Sequence, residues 1–174
     1  RESFGKCTDS AIEEAVSNVV GVINATVIDR YQGRGTTGII IVTDTLPPPE
    51  SVVTNINDAI AETKASGVEA FVVYATVKYI DIDVTLTDIA ESDYETIADV
   101  IRSYCVSLGS GQKFVIKQME RKVLNAIDKT NADNDMIDIT TNMPTNNVDI
   151  ALEEVIRANT ITINGTAINS RAIK

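Results

Sequence analysis

Residues 33–43 read Gly33-Arg34-Gly35-Thr36-Thr37-Gly38-Ile39-Ile40-Ile41-Val42-Thr43, and the fold of this stretch decides the class of the protein. Its first six residues spell G-x-G-x-x-G after a predicted strand, the spacing that cradles a dinucleotide pyrophosphate. That chemistry needs a helix to begin inside the motif, because the helix N-terminus supplies the amide donors. Here the glycines run into Ile39-Ile40-Ile41-Val42, which is β-branched and too short for such a helix. A hairpin loop whose glycines take positive φ angles explains the same residues, and that is the expectation.

Upstream, Ile12, Ala15, Val16, Val19 and Val20 share one face of a predicted helix over residues 10–20, with Ser10 and Glu13 at capping-box spacing. Gly21 stops it, and a strand follows over 22–31. Downstream, Leu46-Pro47-Pro48-Pro49 opens a predicted helix over 50–65 that buries Val52, Val53, Ile56, Ala59 and Ile60 and ends at Gly67. A long β stretch over 68–87 comes next. Its second half alternates Ile80, Ile82, Val84 and Leu86 against Asp81, Asp83, Thr85 and Thr87, which marks a strand dry on one side only.

Ser92 and Glu95 suggest a second capping box, opening a helix that carries Tyr94, Ile97, Ile101, Tyr104, Cys105 and Leu108. Another helix is expected over 116–127, then a polar turn over 128–135 and a short strand over 136–141. Residues 148–158 fit a helix by one period and a strand by the other. The fold class is α+β. Two small lobes, residues 1–78 and 79–174, each pack helices on a mainly antiparallel sheet and are joined by a long strand connector.

The 174 residues carry a net charge of −10 and a pI near 4.4. Such a surface argues against nucleic acid and anionic membranes as partners, since both need a field of lysine and arginine. No apolar run reaches the length of a membrane span. The chain begins at Arg1 with nothing resembling a signal peptide, so it is expected to be part of a longer chain. Asn24-Ala25-Thr26 and Asn164-Gly165-Thr166 match glycosylation sequons and are read as chance.

Catalysis has little to work with. The chain has no histidine, which removes the commonest general base and zinc ligand. Asp81 and Asp83 share a strand face roughly 7 Å apart, a spacing that suits acid–base or metal chemistry but is more often just a wet face. Cys7 and Cys105 lack a histidine partner, and Cys105 falls on an apolar helix stripe as a buried thiol would. Residues 109–113, Gly-Ser-Gly-Gln-Lys, have a P-loop flavour, but Phe114 stands where magnesium needs a hydroxyl. Asn131, Asp133 and Asp135 begin a calcium-loop spacing that fails at Met136 and Asn142. No catalytic, cofactor-binding or metal residue is assigned, and no cofactor is expected.

Read together, the order of elements resembles the baseplate J-like family. The hydrophobic-Gly-Val step Val19-Val20-Gly21-Val22, the glycine hairpin into residues 39–42, the proline-led helix and the long strand pair ending in alternation carry the resemblance in the first half. In the second, the helix at 94–108, the segment at 114–127 and the strand at 136–141 carry it. Residues 148–152 through 160–164 resemble the family's terminal β-hairpin, which favours strands over helix there. The resemblance implies a non-enzymatic wedge component of a phage or phage-like contractile-tail baseplate. It implies other baseplate proteins and copies of itself as partners, location in the tail particle, and synthesis in the host cytoplasm. The rival expectations are a nucleotide-binding or enzymatic domain using the Gly33–Gly38 loop, and a generic surface interaction domain.

Overall fold

The computed structural model describes residues 8–45, 47–127 and 137–168. The chain divides into two compact units, Arg1–Thr76 and Val77–Lys174.

In the first unit, helix α1 (Asp9–Ser17) precedes strands β1 (Val22–Asp29) and β2 (Thr36–Thr43), then helix α2 (Glu50–Thr63) and strand β3 (Glu69–Tyr74). The sheet order is β1-β2-β3. β1 and β2 pair antiparallel, as a short loop requires. β2 and β3 pair parallel, so the expectation of a mainly antiparallel first sheet needs correcting. The reason is the intervening helix: α2 returns the chain to the end where β2 began, and the next strand runs the same way. As the central strand, β2 is shielded on both faces, and Ile39, Ile40 and Ile41 are fully buried. Ile39 and Ile41 pack with Ile12 and Val16 of α1 and Ile56 and Ile60 of α2 into one core.

Helix α1 differs from its sequence forecast at both ends. Thr8, not Ser10, is the N-cap, and its hydroxyl accepts from the Ala11 amide at 3.2 Å. Ser10 lies one residue inside the helix, so the Ser10–Glu13 box does not form. The helix stops at Ser17, and Val20 is left 88% exposed instead of joining the apolar face. Gly21 takes φ 95° in the turn into β1, close beneath Val52.

The second unit contains β4 (Thr76–Leu86), a 3-10 turn at Glu91–Asp93, α3 (Tyr94–Ser107), α4 (Ile116–Ile127), β5 (Ile139–Met143), β6 (Glu154–Ile163) and β7 (Thr166–Ile168), with sheet order β5-β4-β6-β7. The long β stretch is therefore two strands in two sheets, not one, interrupted at Ala75. Within β4 the forecast alternation holds: Ile80, Ile82, Val84 and Leu86 are buried beneath α3 and α4, while Asp81 and Thr85 face out. Ser92 sits in the 3-10 turn, and no side chain caps α3 through its N-cap Asp93, so the second capping box is absent too. Tyr104 secures the connection between α3 and α4, since its hydroxyl accepts from the Val115 amide at 3.1 Å and its ring lies against Phe114.

The terminal hairpin is displaced from its forecast position. It joins β6 to β7, whereas Val148 makes only an isolated bridge to Phe114 and residues 148–152 form no strand. Asn164 (φ 49°) and Gly165 (φ 79°) form its turn, and positive φ at both central residues is what Asn-Gly provides in a two-residue hairpin.

Candidate functional site

The Gly33–Gly38 loop lies between β1 and β2 with a strand directly after it, so no helix N-terminus faces it. Some of its donors are also engaged within the loop. The Gln32 amide donates to the Thr36 hydroxyl at 2.9 Å, and the Gly33 amide donates to the Arg30 carbonyl at 3.0 Å. The Thr36 hydroxyl in turn donates to the Gly33 carbonyl at 2.7 Å. The third glycine has a packing role, because a Cβ on Gly38 would stand 2.5 Å from the Tyr31 ring. This geometry lacks the strand-to-helix step on which a pyrophosphate cradle depends, since the loop runs straight into β2.

The remaining chemical candidates do not converge. Asp81 Oδ1 accepts from Asn159 Nδ2 at 2.8 Å and from the Thr160 amide, whereas Asp83 Oδ2 accepts from Asn142 Nδ2 at 3.4 Å. The two carboxylates thus tie β4 to opposite neighbours instead of sharing a ligand. Residues 109–113 connect two helices, and the Gly111 amide donates to the Glu154 carbonyl. Cys105 is buried, and burial pushes its thiol up to about 12. Cys7, Asn131, Asp133, Asp135 and Met136 lie outside the described residues. Among the described residues, no three His, Cys, Asp or Glu side chains stand together as a metal site.

An open cleft of about 390 Å³ lies beside the start of α4, lined by Lys117, Glu120, Thr141 and Asn147 among others. Its polar groups hold the fold. Glu120 is buried, accepting from Thr141 Oγ1 at 2.8 Å and Lys117 Nζ at 2.7 Å. Asn147 Oδ1 accepts from the Ile116 amide at 2.9 Å. Sequence reasoning missed this cluster because Thr141 lies 21 positions from Glu120 and Asn147 lies 31 from Ile116, and together they form no motif.

What the surface offers is apolar contact and strand edges. Among the described residues, Val20, at 88% exposed, and Tyr79, at 66%, are the most exposed large apolar side chains. Tyrosine in particular brings large contact area at low conformational cost when a protein surface covers it.

No curated protein matches the sequence. A chain in the cryo-EM structure of the anti-feeding prophage (AFP) baseplate, 6-fold symmetrised, shares the fold with a TM-score of 0.51 at 11% sequence identity. The match covers 88% of the present chain but 37% of that one, so the present chain spans little more than a third of its relative's length. Residues 7–78 match the family described as the Baseplate J-like central domain. Across those residues, which take in α1 through β3 and the start of β4, the chain is similar to the Baseplate J-like central domain.

Proposed function

We propose that the chain is a structural, non-enzymatic component of a phage or phage-like contractile-tail baseplate, acting through subunit packing. The observation that carries this reading is the Baseplate J-like central domain at residues 7–78. The likeness of the wider fold to an AFP baseplate chain supports it. The partners are other baseplate proteins and copies of the chain, and the location is the assembled tail particle after synthesis in the host cytoplasm. The acidic surface fits protein partners better than nucleic acid or membrane. The two units act as separate packing bodies, each closing its own core.

The test is removal of the gene from the producing cell, followed by electron microscopy of its tails. Tails lacking baseplates, restored by supplying the gene in trans, are expected. Complete, contractile tails in the deletion strain would contradict the proposal.

A further inference from the structure

The two sheets present four edge strands, β1 and β3 in one and β5 and β7 in the other. Proteins blunt such edges with bulges, prolines, charges or brevity, because unpaired amides and carbonyls template pairing with another chain. Three of these edges are blunted. β1 shifts register between Val22 and Asn24, β5 is bulged opposite Asp83 and Val84 and runs into Pro144, and β7 is three residues long. β3 carries only the charge of Glu69, at its first position, and neither bulge nor proline. Its register with β2 is unbroken from Glu69 to Tyr74, and its sequence Ala70-Phe71-Val72-Val73-Tyr74 carries no charge or proline.

The direction of the groups that have no partner among the described residues follows from the ladder. Glu69 donates to Gly35 and Ala75 to Ile41, so the odd-numbered residues bond to β2. The amides and carbonyls of Ala70, Val72 and Tyr74 therefore point to the free edge, and all three residues are only half-buried.

We propose that this edge pairs antiparallel with the same edge of a second copy of the chain, making one continuous six-stranded sheet. Only residues with outward backbone groups can form the hydrogen-bonded pairs, which places Val72 opposite Val72 of the other copy and Ala70 opposite Tyr74. About six inter-chain hydrogen bonds result. The side chains suit this register. Small Ala70 meets large Tyr74, and Phe71 meets Val73, an aromatic–β-branched pair. The one charged residue of β3, Glu69, faces Ala75 and not another glutamate, so the two paired strands carry no opposed charges. A strand edge alone buries less than a standard interface, so the dimer is weak and concentration-dependent in the isolated chain. The proposal rests on edge geometry and not on the baseplate reading.

Hydrogen exchange resolved by residue tests it, with sedimentation of the same samples. Raising the chain from micromolar to millimolar is expected to slow exchange at Ala70, Val72 and Tyr74 by about tenfold or more as a dimer appears. Phe71 and Val73, already bonded to β2, stay unchanged. Val72→Pro removes an outward amide without touching the β2 ladder and should leave a monomer. A chain that sediments as a monomer throughout, or a dimer that protects a different edge, overturns the proposal and leaves the baseplate reading standing. If Val72→Pro does not fold, the wild-type exchange pattern decides alone.

Discussion

At Gly38 the Tyr31 ring occupies the place where a side chain would begin, 2.5 Å from an added Cβ. Tyr31 in turn lies near Phe71, with ring centroids 6.4 Å apart. Gly38→Ala should therefore destabilise the protein by about 1–3 kcal/mol, an overpacking cost measurable by urea denaturation. Millimolar ATP or NAD should leave the melting temperature of the wild type unchanged. A ligand-induced rise would contradict the role given to the Gly33–Gly38 loop. At Cys105, burial raises the thiol from its ordinary 9.0 to about 12, so the native state holds a proton that the unfolded chain releases over that range. Its contribution is complete below pH 9.0 and declines as pH rises toward 12. Cys105→Ser should lose that part of the alkaline slope in urea titrations, and the native thiol should resist maleimide until the protein unfolds.

Among the elements, Asn164 shows how a single turn residue organises a sheet. Its side-chain oxygen accepts from the Leu86 amide at 2.8 Å, and its nitrogen donates to the Leu86 carbonyl and to the Tyr94 hydroxyl, each at 3.0 Å. It thereby ties the β6–β7 turn to the end of β4 and the start of α3. Asn164→Ala should cost about 1–3 kcal/mol, read as a lower urea midpoint, with exchange rising first at the β7 amides. The Asn164-Gly165 pair carries a hairpin signal that the sequence reading did not use, so the turn was misplaced. Elements with a strong period were legible: α4, the alternation of β4 and the buried run of β2 all stand where their patterns put them. Helix starts were less so, because Thr8 and Ser10 are both good caps by type and only tertiary packing chooses between them. The parallel pairing of β2 and β3 was not legible locally, since it depends on where α2 returns the chain.

At the scale of the whole molecule, the Glu120 and Asp81 carboxylates each tie elements of the second unit together. Each unit has a core of its own, so Val77–Lys174 expressed alone should melt cooperatively, with helix and strand signals lost together in circular dichroism. A non-cooperative profile would mean that the core needs the first unit. The assembly role itself is tested most directly by cryo-EM reconstruction of tail particles purified from the producing cell. Density at the baseplate that accepts both units, with residues 7–78 traceable by side chain, is the predicted result. Particles whose baseplates are fully accounted for by other chains would contradict it.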